Sequence, residues 1–263
     1  MSEIILNNNG ILAKVELDVE ISTAKAYPRN IDTFLQRAEK QITLDEEIAE
    51  ECFYILPGRD TEGNKIEGGS IRLAEIIASC WGNLRIASRI VENDGKFITT
   101  EGVSWDLETN VKWVSQLQLS IKTKEGKLYS SNMQSTTANA GQAKCRRNAI
   151  FQNVGKAYVN YLTKIAKKCA VGDQKTLSTK RRKIFDRFKS MQIDENKILG
   201  YFKKSNIEEI NLEDIEILIG IGTAIKEGTL NIDNAFNDKP EQANSSKSEE
   251  LKDWINSKST ASQ

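Results

Sequence analysis

The chain has 263 residues and a mass of 29.5 kDa, enough for one large domain or for one domain with appendages. It contains no histidine, which excludes histidine-based acid–base catalysis, His-containing catalytic triads and histidine-ligated metal sites. The four cysteines lie far apart, so we expect reduced thiols and no structural zinc site. No apolar run reaches the length of a membrane span, and Met1–Gly10 lacks the pattern of a signal peptide. We therefore expect a cytoplasmic protein with no membrane partner.

The charges cancel overall but are unevenly distributed. The chain carries 37 basic and 37 acidic side chains, yet residues 141–190, the basic block, hold 14 basic and 2 acidic ones. The segments on both sides of the basic block are net acidic. A neutral protein with one concentrated basic segment indicates a partner of opposite charge at one place.

The first 69 residues give mixed signals. Ile11–Ile21 partly alternates between apolar and polar residues and predicts a strand, whereas residues 30–50 have helical spacing. Cys52–Leu56 predicts a short buried strand that ends at Pro57-Gly58. The residues Arg59–Gly69 are rich in turn formers and predict a polar loop.

The clearest pattern follows a predicted helix. Ser70 is placed to cap a helix over Ile71–Trp81, and Gly82 provides its stop. The next residues form strand-like runs separated by short turns, which is typical of an antiparallel meander. These runs are Leu84–Glu92, Phe97–Glu108, Val111–Lys122 and Lys127–Met133.

The predicted meander has one apolar face and one polar face that carries basic groups. In the third run, Trp113 and Leu117 fall on one side and Lys112 on the other. In the first run, Arg85 and Arg89 share the polar side. The predicted fold class is therefore α+β, an antiparallel meander sheet with helices packed on one face, plus a small C-terminal helical unit.

The rest of the chain predicts helices and then a tail. Residues 134–171 have helical periodicity, and the composition changes near residue 190. We predict a core at 1–190, a small helical domain at 191–236 and a disordered acidic tail at 237–263. Within that tail, Glu249–Ile255 (EELKDWI) is an isolated acidic and apolar patch.

Nucleic-acid binding is the chemistry that the basic residues favour. Phosphate backbones attract Lys and Arg whatever the base sequence, although the basic block also fits a solvated helix face with a basic linker. The arginines outside the block also fit ordinary surface positions. Aromatic residues are candidates for stacking on bases, or else belong to the core. They are Tyr129, Phe151, Tyr158 and Tyr161.

An enzymatic alternative is a Mg²⁺-dependent nuclease. Asp106 followed by Glu125-x-Lys127 matches the order of a metal-binding carboxylate pair with a phosphate-polarising lysine. Glu125, however, lies in a predicted hairpin turn, where a carboxylate is too mobile to hold a metal. The sequence has no G-x-x-x-x-G-K-[ST] motif, which excludes an ATP-driven recombinase of the P-loop type.

Two stretches resemble a known family. EGGSIRLAEIIASCWGN (Glu67–Asn83) precedes the meander and TTANAGQAKCRRNAIFQNV (Thr136–Val154) follows it, and the similarity covers about residues 45–172. The chain resembles the phage single-strand annealing proteins, the superfamily of RecT and Redβ. The segment Ile217–Phe236 is also similar to a tail segment of such phage proteins. The superfamily core is a curved antiparallel sheet with a long helix across it, which matches the order of elements predicted above.

The resemblance implies a non-enzymatic protein without cofactors that binds single-stranded DNA and anneals complementary strands without ATP. It implies a homo-oligomer, as a ring or a helical filament, in a bacterial host cell. We expect the C-terminal helical unit and the acidic tail to contact a DNA duplex or a partner such as a single-strand binding protein or exonuclease. The DNA would lie in a basic groove between sheet and helix. The residues predicted to bind it are Lys144, Arg146, Arg147, Lys156, Arg72, Arg85, Arg89 and Lys112.

Two further alternatives remain open. A passive protein would coat single strands and protect them without speeding the pairing of complementary strands. A structural or regulatory scaffold would have no affinity for nucleic acid.

Overall fold

A computed structural model describes residues 2–123 and 125–236 and has an α+β fold, as predicted. Its helices are α1 (Ser2–Ala26), α2 (Ile31–Ile42), α3 (Glu46–Glu50), α4 (Ile71–Trp81), α5 (Ser131–Val154), α6 (Lys156–Val171), α7 (Leu177–Ser190), α8 (Glu195–Phe202) and α9 (Leu212–Lys226). Its strands are β1 (Phe53–Arg59), β2 (Lys65–Gly69), β3 (Leu84–Asn93), β4 (Phe97–Asp106) and β5 (Val111–Ser120). Single 3₁₀ turns lie at Ile207–Glu209 and Ile232–Asn234.

The predicted meander is present as the antiparallel sheet β3–β4–β5. The side chain of Asp94 accepts the backbone N–H groups of Lys96 and Phe97, and Gly95 has a positive φ of 78°, so these residues close the β3–β4 turn. In register, Asp106 pairs with Val111 at one end of the sheet and Phe97 pairs with Ser120 at the other.

Helix α5 packs directly on one face of this sheet. A Cβ atom added to Gly102 of β4 would lie 2.3 Å from the backbone nitrogen of Arg146. A Cβ added to Gly141 of α5 would lie 2.3 Å from the side chain of Leu119. The thiol of Cys145 lies between these glycines and donates to the backbone oxygen of Thr100 at 3.4 Å. Glycine at these two positions therefore lets the helix and sheet backbones approach closely.

The fourth predicted strand is wrong. Lys127–Met133 contributes an isolated bridge from Leu128 to Lys122, and the chain then enters α5. The side chain of Ser130 accepts the N–H of Met133, so the helix cap directs the chain out of the sheet.

The loop predicted over Arg59–Gly69 is also wrong in its second half. Lys65–Gly69 forms β2, which pairs antiparallel with β1. The carboxylate of Asp60 accepts the N–H groups of Glu62 and Asn64 and closes the hairpin. Pro57-Gly58 lies within β1 at a register shift between Leu56 and Arg59, so it bends the strand instead of ending it.

The strand predicted at Ile11–Ile21 is wrong as well, because these residues belong to helix α1. Besides the partial alternation, the same segment contains apolar residues at helical spacing. Leu17 and Ile21 are partly buried and Ala24 is buried, and this spacing of four and three residues places them on the inner side of the helix.

One hydrophobic core joins most of the described chain. It includes residues from α2 to Ala235, among them Phe34, Leu162 and Ile219. Helix α9 packs on β1 so closely that a Cβ on Gly220 would lie 2.5 Å from the side chain of Ile55. The predicted unit at 191–236 therefore shares its core with the preceding residues. The predicted tail at 237–263 lies outside the described residues.

The packing of α5 on β4 predicts that Gly102→Ala is strongly destabilising. The added methyl group meets backbone atoms, which cannot rotate away, so we expect a loss of about 3 kcal/mol in the free energy of unfolding. Gly200→Ala in α8 is the control, since nothing lies within 4 Å of its Cβ position. That change should stabilise by up to about 1 kcal/mol through helix propensity. Urea denaturation of both variants tests the contact, and equal midpoints would contradict it.

Candidate nucleic-acid interface

Much of the basic block is neutralised inside the fold. Lys180 of α7 is 3% exposed and contacts Glu46, while Arg187 contacts Glu50, which is 2% exposed. In α6, Lys167 lies 2.7 Å from Glu67, so the pairing extends beyond α7. Glutamates of α3, together with Glu67 of β2, therefore neutralise basic side chains of α6 and α7 that belong to the basic block.

Four of the predicted DNA-binding residues meet where α4 begins beside the middle of α5. Arg146 lies 3.2 Å from Glu75, and Arg72 lies 3.6 Å from the same carboxylate. Arg72 also approaches Glu51 at 3.4 Å. These contacts hold both guanidinium groups in ion pairs between elements of the fold. The α4–α5 cluster consists of Arg72, Glu75, Lys144, Arg146, Arg147 and Glu227.

The other two basic members of the α4–α5 cluster point inward. The guanidinium of Arg147 lies 5.2 Å from the ring centre of Tyr54, and burial together with this guanidinium lowers the pKa of Lys144. Burial raises the pKa of Glu227, whose carboxylate accepts the N–H of Ile71 at 2.7 Å. The α4–α5 cluster is therefore largely a structural ion-pair network.

The remaining predicted arginines lie on the opposite face of the meander, beneath α1. The face of β4 that carries Trp105 turns away from α5, and a groove of about 670 Å³ separates it from helix α1. In register, Trp105 pairs with Arg85 of β3 on one side and with Lys112 of β5 on the other. Neighbouring strands are about 4.8 Å apart, so a cation flanks the indole on each side.

Further residues complete this groove, which we call the α1 groove. Lys14 lines it from the helix side, and Val103 and Val114 form an apolar row beside Trp105. Arg89 pairs across the strands with Glu101 at 2.8 Å, and the carboxylate also accepts from Gln116. Arg85 contacts Glu20 of α1 at 2.7 Å, which ties the helix to the sheet. Among the described lining residues, the α1 groove carries Lys14, Arg85, Arg89 and Lys112 against Glu101.

The structure thus divides the predicted site residues instead of bringing them together. Lys144, Arg146, Arg147 and Arg72 lie in the α4–α5 cluster, and Arg85, Arg89 and Lys112 line the α1 groove. Lys156 is the exposed first residue of α6 and lines neither site. The helix predicted to grip the DNA covers one face of the sheet, and the open groove lies on the other face.

The aromatic residues singled out in the sequence have other surroundings. Tyr158 packs with Phe34 and Trp81 at ring distances of 5.9 and 5.7 Å, so it belongs to the core. The hydroxyl of Tyr161 donates to Glu39 at 2.8 Å. Phe151 packs against Gly69, and Tyr129 packs with a small cluster around Ile98 and Ile121.

Sequence analysis missed Trp105 and Lys14 as groove residues. Trp105 shares the β4 face of Val103 and Glu101, and this period-2 alternation was available in the sequence. Lys14 lies in the segment predicted as a strand, so its position over the sheet depended on recognising helix α1.

The nuclease arrangement does not form. Asp106 lies at the end of the sheet where β5 begins, whereas Glu125 and Lys127 follow the other end of β5. Nine residue steps along β5 separate these ends by about 30 Å. Asp106 binds both terminal nitrogens of Arg29, one of them at 2.8 Å. Within residues 2–123 and 125–236, no three acidic or cysteine side chains form a group able to hold a metal ion.

Comparison of the chain with protein-family models, curated proteins and solved structures finds no match. The resemblance to annealing proteins therefore stays a prediction. Across the described helices, none combines the length and the apolar character that a membrane crossing requires.

Arg29 and Asp106 lead to a prediction about stability and its pH dependence. Burial by itself raises the pKa of Asp106, but the Arg29 guanidinium and backbone N–H groups outweigh it and hold that pKa below its usual value. Arg29→Ala leaves the carboxylate buried without its cation, and we expect a loss of about 3 kcal/mol at pH 7.

The sign of the pH effect follows from the lowered pKa. The contribution of Asp106 is present above the unfolded value of about 3.9 and is lost as the pH falls through the lower folded pKa. The difference between wild type and Arg29→Ala should therefore shrink below about pH 4 in thermal melts. Lys164→Ala, which removes an exposed lysine of α6, is the control and should change stability by less than about 0.5 kcal/mol. A difference that does not depend on pH would refute this account.

Proposed function

We propose that the protein binds single-stranded DNA in the α1 groove and promotes the annealing of complementary strands without a nucleotide cofactor. The observation that carries the proposal is the row Arg85–Trp105–Lys112 across the open face of the meander. A stacking surface between two cations is complementary to a single strand, which offers a base with a free face and a phosphate on each side.

The charge of the α1 groove supports a polyanionic ligand. The described residues that line it include four basic side chains and the carboxylate of Glu101, which Arg89 and Gln116 engage, while Arg85 pairs with Glu20 of α1. Lys14 and Lys112 are exposed, so phosphates can reach them without breaking a buried contact.

The position of Trp105 favours a single strand over a duplex. The indole is partly buried on the sheet, beneath α1, and its Nε1 donates to Asn110 at 3.1 Å, which fixes the ring. A base of a single strand can stack on a fixed ring, whereas the bases of a duplex already stack on one another. Val103 and Val114 offer no hydrogen bonds to base edges, so binding should not depend on sequence.

Annealing requires that phosphates are held while base edges stay available for pairing. The cations of the α1 groove can hold the phosphates. Its apolar row of Val103 and Val114 makes no hydrogen bonds to the bases, so the base edges stay available for pairing. A passive coating protein would bind single strands in the same groove but would not speed their pairing. An annealing assay therefore distinguishes the two functions.

Assembly of several copies is part of the proposal. In the described residues, β3 and β5 have β4 as their strand neighbour, and no strand pairs with their outer edges. Pairing of such edges between copies would join one α1 groove to the next. Sedimentation with and without oligo-dT measures this directly.

Binding should depend on Lys14 and Lys112. The double variant Lys14→Ala/Lys112→Ala removes two phosphate contacts, so the log–log salt slope for oligo-dT should fall by about 1.4. The control Lys164→Ala/Lys168→Ala removes two exposed lysines of α6 and should leave the slope unchanged. Fluorescence anisotropy at several salt concentrations gives both slopes, and equal slopes would remove the α1 groove from the site.

Stacking should depend on Trp105. Trp105→Ala should weaken oligo-dT binding about 5- to 150-fold, whereas Trp105→Phe should retain most of the affinity because a phenyl ring also stacks.

The direct test of function mixes the protein with complementary labelled oligonucleotides in the absence of nucleotide. Faster pairing with wild type than with Trp105→Ala is expected. Binding without faster pairing would favour the passive coat, and no binding would favour the scaffold.

A further inference from the structure

A second groove lies between α7 and α8, away from the α1 groove in the fold. It encloses about 550 Å³, and its floor consists of the buried side chains of Phe185, Ile193 and Ile198. Arg182 and Lys189 form a basic rim along α7 that also contains Asp186, 4.0 Å from Arg182, and Asp194 and Glu195 form an acidic rim at the start of α8. We call it the α7–α8 groove.

The charges of the α7–α8 groove disfavour a polynucleotide. Among the described residues that line it, Arg181, Arg182 and Lys189 face four carboxylates, and Arg181 already donates to the backbone oxygen of Ile210. An occupant must therefore carry charges of both signs and apolar side chains between them.

The described chain ends beside this groove. The ring of Phe236 packs edge-to-face on Phe188 of α7 at 5.3 Å and lies 5.7 Å from Tyr201 of α8. Phe188 is one helical turn from Phe185 in the groove floor. Phe236, the last described residue, therefore lies next to the two helices that form the groove walls.

The segment that follows contains one patch of matching chemistry. Its large apolar side chains are Leu251, Trp254 and Ile255, spaced three and four residues apart. Glu249, Glu250 and Asp253 supply negative charge around them, and Lys252 supplies a positive one. The apolar side chains match the floor of the α7–α8 groove, the carboxylates match Arg182 and Lys189, and Lys252 alone matches the acidic rim.

We propose that residues 249–255 of the same chain dock in the α7–α8 groove. Trp254 and Leu251 cover Phe185 and Ile198, and Glu250 and Asp253 face the basic rim. Twelve residues connect Phe236 to Glu249. A chain of that length has a root-mean-square reach of about 19 Å, which corresponds to an effective concentration in the millimolar range. Weak intramolecular contacts therefore suffice to keep the groove occupied.

The test uses the full-length protein labelled with 5-fluorotryptophan. The chain has four tryptophans, and Trp254→Phe identifies the ¹⁹F signal of Trp254. We expect this signal to lie away from that of a synthetic peptide covering residues 246–258. Arg182→Glu/Lys189→Glu reverses the basic rim and should move the signal to the peptide position. Adding Glu250→Lys/Asp253→Lys to that variant should move it back.

The control Lys164→Glu/Lys168→Glu reverses two exposed charges on α6 and should leave the Trp254 signal where wild type has it. A wild-type signal at the peptide position would overturn the proposal, as would a shift unaffected by reversal of the basic rim. A signal that oligo-dT displaces but rim reversal does not would place the segment in the α1 groove instead. A shift that disappears on dilution would assign the contact to a second copy, and both results contradict docking in the α7–α8 groove of the same chain.

Discussion

The close contact between α5 and β4 is the constraint on which the rest of the structure depends. Gly102 and Gly141 have no side chain, so the backbones of the helix and the sheet lie closer together than any other residue would allow. Because α5 fills that face of the meander, the side chains of Arg85, Trp105 and Lys112 point to the other face, beneath α1. The same contact directs Arg146 toward Glu75 and away from the α1 groove.

Electrostatic pairing within the fold explains how a neutral chain combines a dense basic segment with a separate cationic groove. The acidic residues of α3 neutralise Lys180 and Arg187, which are far from them in sequence. Removing one partner of such a buried pair is costly because the other charge loses its counterion without regaining water. The basic block therefore serves the stability of the helical core to a large extent. The cations of the α1 groove come instead from α1, β3 and β5, where the local charge is close to balanced.

Elements set by local signals were predictable, and those set by distant contacts were not. Ser70 and Gly82 define α4, and Asp94-Gly95 defines the first turn of the meander, because caps and turns depend on a few adjacent residues. Strand β2 was missed because its pairing with β1 overrides a composition typical of loops. The structure separates the predicted DNA-binding residues onto the two faces of the sheet. This separation was not predictable because no local sequence pattern tells which face α5 covers. Lys112 was placed on the correct strand face by alternation alone.

Photocrosslinking of the full-length protein to an oligonucleotide that contains 5-iodouracil tests the central claim most directly. On irradiation the C–I bond of an iodouracil stacked on an indole breaks, C5 of the uracil bonds to a ring carbon, and HI is lost. Mass spectrometry of the digested product then identifies the crosslinked residue. The account predicts attachment at Trp105, with loss of that product in Lys14→Ala/Lys112→Ala. Attachment at Tyr54, which lies beside Arg147 of the α4–α5 cluster, with Trp105 unmodified, would contradict it.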